Sequence, residues 1–178
     1  TQPLGVEVRL WLRADRSSIL HERRRRMLGP SGCGLCGVES LEAAARPARK
    51  VGDALRIPPA EVAAAISALE GAQELGRRTR AAHAAGWWTP GIGLAVARED
   101  VGRHNALDKL AGALAREGRA LPPGAVVLTS RVSIEMVQKA AACGAEAIIA
   151  ASAPTTLAAE AAEQSGMTLI AVARADGF

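Results

Sequence analysis

The second half of the sequence alternates short apolar runs with longer helical patterns, and this alternation limits the possible folds more than any other feature. The runs predict strands at 94–98, 125–128, 147–151 and 168–173. Between them the patterns predict helices at about 102–116, from Ser130 or Ser133 to Cys143, and at about 154–164. Strands that alternate with helices favour a parallel or mostly parallel sheet covered by helices. The predicted fold class is therefore α/β.

The first half of the sequence gives weaker signals. Alternating apolar residues predict a strand at 6–12, and Ser17 or Ser18 is a candidate cap for a short helix that ends at Met27. Pro58-Pro59 opens a helix that is predicted to run to Gly76. Runs at 83–88 and 94–97, separated by the turn Thr89-Pro90-Gly91, predict a hairpin. The length of 178 residues fits one domain, 1–178.

Polar residues follow the predicted strands at four successive strand ends. The carboxyl ends of strands in an α/β sheet carry ligand sites, because helix N-termini there offer free N–H groups and a positive dipole end to anions. Arg103 and Arg131, each at a predicted helix start, are candidates for bidentate phosphate contacts. Asp100, Ser130, Ser133 and Thr155 are also ordinary helix-capping residue types, so the pattern alone leaves a purely structural role open for each. The candidate pocket residues are His83, Arg103, His104, Ser130, Arg131, Ser133, Ser152 and Thr155.

Cys33 and Cys36 lie three positions apart in a loop that also contains Gly32, Gly34 and Gly37. Their spacing allows three chemistries. Two thiolates fill half of a tetrahedral zinc site, but no second ligand pair at zinc-knuckle spacing and no His-x-Glu sequence of a zinc deaminase accompanies them. The pair could also cycle between dithiol and disulfide, or carry sulfur as a persulfide. No metal is expected among the site residues.

The charge distribution and the cysteine content indicate which partners and which cellular location to expect. The segment from Arg9 to Arg26 contains seven arginines and only two acidic residues. This excess of positive charge indicates either a solvated helix face or an electropositive entry for an anionic ligand or acidic partner. Three cysteines are too few for a disulfide-stapled secreted scaffold, so a cytoplasmic location is predicted. Neither a long apolar run nor a leader pattern occurs, and no membrane or nucleic-acid partner is expected.

Five stretches of the sequence strongly resemble the formate dehydrogenase accessory sulfurtransferases, the FdhD family. They are Gly32 to Glu39 around the cysteine pair, Thr79 to His83, Glu99 to Leu110, Ser130 to Ala140 and Ser152 to Ala158. The resemblance implies a cytidine-deaminase-like layered α/β fold, mostly parallel in the C-terminal half, and a homodimer. It also implies that the chain lacks the N-terminal segment and the short C-terminal tail of the family.

The resemblance implies a function that the motifs alone leave open. A cysteine desulfurase would supply persulfide sulfur, and the chain would transfer it to the molybdenum bis-molybdopterin guanine dinucleotide cofactor, which formate dehydrogenase requires. Cys33 matches the persulfide-bearing position and Cys36 its partner. GDP is the expected fragment ligand. The matching C-terminal cofactor-binding stretch consists of Val172, Ala173, Arg174, Ala175, Asp176 and Gly177. The alternative is a non-catalytic chaperone that binds zinc or the molybdenum cofactor.

Overall fold

The structure is a computed structural model that describes residues 11, 13, 47–117, 122–174 and 177–178. The chain divides into two compact units, Thr1–Ala45 and Arg46–Phe178, and the described helices and strands belong to the second. The cysteine loop lies outside the described residues, as do the strand predicted at 6–12, apart from residue 11, and the helix predicted to end at Met27. The assignment of 1–178 to one sulfurtransferase domain stays a prediction.

The helix predicted to end at Gly76 is two helices in the structure. Helix α1 is Pro59–Ala72 and α2 is Glu74–Thr79, with the break at Gln73. The cause lies far along the chain, because the Glu99 carboxylate accepts hydrogen bonds from the N–H groups of Leu75 and Gly76 at 2.8 and 2.7 Å. A carboxylate at a helix N-terminus stabilises that terminus, so a new helix starts there.

The remaining elements follow the predicted order with small shifts of their ends. The hairpin and the strand–helix alternation after it are all present, and the last strand is shorter than predicted because Val172 takes a positive φ of 55°. The bounds are β1 His83–Thr89, β2 Gly93–Asp100, α3 Arg103–Glu117, β3 Ala125–Leu128, α4 Ile134–Ala142, β4 Ala147–Ala150, α5 Thr156–Ser165 and β5 Thr168–Ile170.

The five described strands form one sheet in the order β2-β1-β3-β4-β5. Strands β3, β4 and β5 pair in parallel, whereas β1 pairs antiparallel with both β2 and β3. Strand β2 therefore runs in the same direction as β3, and all four strands of the alternation point the same way. The predicted α/β class, with a mostly parallel C-terminal half, is confirmed. The alternation did not predict the insertion of β1 between β2 and β3.

Both faces of the sheet are covered. The Val62, Ile66 and Leu69 side chains of α1 pack on one face, where they share a core cluster with residues of β3 and β4 such as Val127 and Ile149. The alternate strand residues, including those at 126 and 148, are equally buried. Within the described part of the chain, no helix combines the length and apolar character needed to cross a membrane.

Candidate functional site

The carboxyl ends of four strands meet at one edge of the sheet. Strands β2, β3, β4 and β5 point the same way, so the loops that follow them lie at the same edge. Strand β1 begins there, because His83 is the register partner of Asp100 at the end of β2. This carboxyl edge also carries the starts of α3, α4 and α5, which makes it the part of the described chain best suited to an anionic ligand.

Side chains of the protein itself form hydrogen bonds and an ion pair at the start of α3. Asp100 Oδ1 accepts hydrogen bonds from the Gly102 N–H at 2.9 Å and from Asn105 Nδ2 at 3.2 Å. Its other oxygen lies 2.6 Å from Lys109 Nζ. The hydrogen bond from Lys109, followed by that from the Gly102 N–H, lowers the pKa of Asp100. Asp100 is thus held in its charged form as a structural cap.

The start of α5 is closed in a similar way. Thr155 Oγ1 accepts a hydrogen bond from the Ala158 N–H at 3.2 Å, as a helix cap does. The Thr155 N–H donates to the Val132 carbonyl at 2.9 Å, and the Val132 N–H donates to the Ala153 carbonyl at 3.2 Å. These backbone bonds connect the loop after β3 to the loop after β4. Because the Thr155 hydroxyl accepts the capping bond, its role is structural.

The start of α4 is different. Ser133 is the N-cap residue, with extended backbone angles, but its hydroxyl makes no capping bond. The residue is 5% exposed, and its Oγ has no hydrogen-bond partner among the described residues. Ser130 does not fill this role, because its hydroxyl donates to the Arg131 carbonyl at 3.1 Å. The prediction that Ser130 or Ser133 caps this helix through its side chain is therefore wrong. Among the helix starts described at the carboxyl edge, that of α4 lacks a side-chain cap.

His104 brings a second unpartnered atom to this region. Its Nδ1 lies 3.5 Å from Oε2 of Glu135, a buried residue in the first turn of α4. Its Nε2 is buried and has no hydrogen-bond partner in the described part of the chain. Burial lowers the pKa of His104; the Glu135 charge opposes this shift and the Arg103 charge adds to it. The imidazole is consequently neutral near pH 7.

His83 and Arg103 extend the same region toward β1. Burial, together with the positive charge of Arg103, lowers the pKa of His83. Arg103 starts α3 and influences both histidines, so one permanent cation stands beside two neutral imidazoles. Such a combination, next to a helix N-terminus, favours an anion. Two positively charged histidines would instead repel each other and the arginine.

The chain's remaining C-terminal site residues lie at the same edge. Ser152 follows β4, and its carbonyl accepts a hydrogen bond from the Val172 N–H at 3.3 Å. Ala173 is buried, and the Arg174 N–H donates to the Gly177 carbonyl at 2.8 Å. The described members of the predicted set therefore lie in loops and helix starts at one edge of the sheet, and among them Arg131 is exposed. Ala175, Asp176, Cys33 and Cys36 lie outside the described residues, and the binding and catalytic roles of the whole set stay predictions.

Comparison with known proteins identifies the family. The model of the FdhD/NarQ family matches residues 4–178. The chain belongs to this family. It is 47% identical over 175 residues to the sulfur carrier protein FdhD of Agrobacterium fabrum, covering 98% of this chain and 65% of that protein. It is also 47% identical over 170 residues to the sulfur carrier protein FdhD of Bordetella bronchiseptica, covering 96% and 62%.

A solved structure supports the same assignment. The crystal structure of a formate dehydrogenase accessory protein from Desulfotalea psychrophila is similar with a TM-score of 0.66 and 36% identity, over 74% of this chain and 56% of that one. The resemblance to the FdhD family is thereby confirmed. The chain spans less than two thirds of the length of these two FdhD proteins and of that structure.

The structure adds one residue, Glu135, to the candidate site that the sequence patterns did not predict. Glu135 follows the helix start at Ser133 and reads as an ordinary first-turn acid, which is a common helix-stabilising position. Its contact with His104 joins positions 31 residues apart, and no spacing rule predicts such a contact. The burial of Glu135 is the signal that distinguishes it, and burial requires the tertiary structure.

Substitution of Thr155, which caps α5, and of Ser133, which does not cap α4, should have different effects on stability. Thr155→Ala should lower the free energy of unfolding by about 1 kcal/mol, because it removes a capping bond. Ser133→Ala should leave it within about 0.5 kcal/mol of wild type or raise it, because the hydroxyl removed is buried and unpartnered. Urea denaturation of both variants measures the two values. Equal losses in both would show that Ser133 caps α4 after all.

Proposed function

We propose that this chain acts as a sulfur carrier protein in formate dehydrogenase maturation. It accepts persulfide sulfur from a cysteine desulfurase and transfers it to the molybdenum bis-molybdopterin guanine dinucleotide cofactor, its substrate. Membership of the FdhD/NarQ family, whose relatives are named sulfur carrier proteins, supports the carrier role. The observation that supports the cofactor half is the uncapped start of α4, where Ser133 Oγ and, in the neighbouring imidazole, His104 Nε2 have no hydrogen-bond partner among the described residues.

The two cysteines divide the sulfur chemistry. The Cys33 thiolate attacks the outer sulfur of the donor persulfide, so a new S–S bond forms on Cys33 and the donor leaves as a thiolate. Attack by the Cys36 thiolate on Sγ of Cys33 then forms a Cys33–Cys36 disulfide and releases the outer sulfur as sulfide. The electron pair of Cys36 thus reduces the transferred sulfur. A cellular thiol reductant returns the pair to its starting state. The cytoplasm would provide such a reductant. The cytoplasmic location stays a prediction, as does the homodimer.

The carboxyl edge supplies groups for the phosphates of the cofactor. Arg103 and Arg131 offer planar guanidinium groups that match phosphate oxygens in pairs, and the Ser133 hydroxyl lies beside the N-terminus of α4. GDP carries the same guanosine and diphosphate groups as one end of the cofactor, which makes it a suitable probe. The carrier half is tested separately by persulfide loading, which should place one sulfur atom on Cys33.

Removal of either arginine should weaken GDP binding. Arg103→Ala and Arg131→Ala should each raise the Kd at least about tenfold, because a lost hydrogen bond to a charged group is worth about 1.5–3 kcal/mol. Arg116→Ala is the matched control, since Arg116 lies at the opposite end of the same helix, about 20 Å from Arg103. Calorimetric titration measures all three. Unchanged affinity in both test variants would remove these arginines from the pocket.

A further inference from the structure

Two unpartnered polar atoms belong to residues in or beside the first turn of α4. Ser133 Oγ belongs to the residue that begins the helix, and His104 Nε2 belongs to the imidazole whose other nitrogen faces Glu135, two residues further along α4. A buried polar atom without a partner costs about 1–3 kcal/mol. The chain satisfies the equivalent hydroxyl of Thr155 internally. The pair at Ser133 and His104 therefore indicates a ligand that supplies the missing bonds.

The Glu135 carboxylate decides where His104 carries its hydrogen. A carboxylate accepts hydrogen bonds and repels a lone pair, so the neutral imidazole places its hydrogen on Nδ1, toward Glu135 Oε2 at 3.5 Å. Nε2 is then left with a lone pair. Burial of His104, aided by the positive charge of Arg103, keeps the free imidazole neutral by lowering its pKa. In this state His104 can accept a hydrogen bond at Nε2 but cannot donate one.

An anion at the start of α4 would be attracted by some neighbouring groups and repelled by another. The N-terminus of α4 and the Ser133 hydroxyl favour a negatively charged oxygen. The lone pair of His104 Nε2 would repel the same oxygen. Protonation of Nε2 removes this conflict, because the Nε2–H of the imidazolium donates a hydrogen bond to the anion. The imidazolium is then held between two negative groups, the anion and Glu135.

We propose that the α4 start is a proton-coupled site for a tetrahedral oxyanion, in which His104 Nε2 takes up one proton as the anion binds. Glu135 is the positioning residue, because it fixes the hydrogen on Nδ1 and stabilises the imidazolium. The other charged groups that act on His104 are Arg103 and Lys139, which oppose its protonation, and Asp108, which favours it. Lys139 and Asp108 largely offset each other, since they form an ion pair at 2.7 Å.

The natural ligand follows from the proposed function, on which this part of the inference rests. A phosphate group of the guanine dinucleotide would occupy the site and would bind with a proton. Because the bound anion raises the pKa of His104, the affinity for the anion is highest at low pH and falls as the pH rises through the pKa of the complex. Cofactor binding and release would thus be linked to proton uptake and release.

Sulfate is the probe that tests the coupling, because sulfate carries no titratable proton near neutral pH and any proton taken up must reside on the protein. Calorimetric titration at pH 6 and pH 8, at constant ionic strength set with chloride, gives the two affinities. Wild type should bind sulfate about tenfold more tightly at pH 6. His104→Gln should bind with an affinity that hardly changes between the two pH values.

Two further variants separate the roles of the neighbours. Glu135→Gln should reduce the ratio between the two affinities, because the imidazolium loses its negative partner; it also serves as the test if His104→Gln does not fold. Ser133→Ala should weaken binding at both pH values and leave the ratio unchanged. An unaltered ratio in Glu135→Gln would remove the positioning role.

Three outcomes would overturn the proposal: no sulfate binding at pH 6, equal affinities at pH 6 and pH 8, or a wild-type ratio in His104→Gln. In the third case, loss of the ratio in His83→Gln would assign the proton to His83 instead. Persulfide loading of Cys33 requires no sulfate, so it distinguishes the two hypotheses. A chain that loads sulfur but shows no proton coupling loses only this inference. A chain that shows coupling but takes no sulfur loses only the carrier role.

Discussion

Cys33→Ala is expected to abolish sulfur loading completely. When the wild-type chain is incubated with a cysteine desulfurase and cysteine, the mass of the intact protein should increase by one sulfur atom, and a thiol reductant should remove it. The reason is chemical: persulfide formation needs a thiolate on an accessible segment, and alanine offers no nucleophile. Mass spectrometry of the intact protein and of its peptides measures the adduct and locates it on Cys33.

The chain contains its own control for this experiment. Cys143 caps the C-terminal end of α4 and is partly buried, and burial raises the pKa of its thiol. A protonated thiol is a poor nucleophile, so Cys143→Ala should load sulfur as wild type does. An equal adduct on Cys33→Ala would overturn the assignment of Cys33. Stoichiometric zinc without sulfur uptake would favour the chaperone alternative, and a reversible Cys33–Cys36 disulfide without sulfur uptake would favour a dithiol redox enzyme.

Gly124→Ala is expected to destabilise the fold by about 2–3 kcal/mol. Gly124 is buried at the start of β3, where a Cβ atom would lie 2.5 Å from Trp87 Nε1 and 2.7 Å from the Trp88 carbonyl oxygen. The second contact is with backbone, so a rotation of the Trp87 ring cannot relieve it. Thermal denaturation should show a Tm about 5–10 °C below that of wild type.

Gly112→Ala is the matched control for this substitution. Gly112 is exposed in the middle of α3, and a Cβ atom there would meet no atom within 4 Å. Alanine in a helix interior is more stable than glycine by about 0.5–1 kcal/mol, so this variant should unfold at a higher temperature than wild type. A Gly124→Ala protein as stable as Gly112→Ala would show that β1 and β3 can separate without loss of packing.

The sequence pattern predicted the strands and most helices of the described residues, because the interactions that form them are local. Strand and helix periodicity and the cap at Thr155 depend on neighbours within about four residues. The break between α1 and α2 was missed for the opposite reason. It depends on Glu99, whose carboxylate binds N–H groups more than 20 positions earlier in the chain. The shortened β5 similarly reflects the turn at Val172.

The candidate site shows the same division. Local sequence patterns are enough to predict the α/β class and the polar residues at four strand ends, and a family resemblance links Cys33 and Cys36 to sulfur transfer. Tertiary contacts place β1 between β2 and β3, cap the starts of α3 and α5 but not that of α4, and bring Glu135 to His104. Local sequence specifies which residues a helix start contains, whereas long-range packing specifies which of their polar atoms remain without a partner.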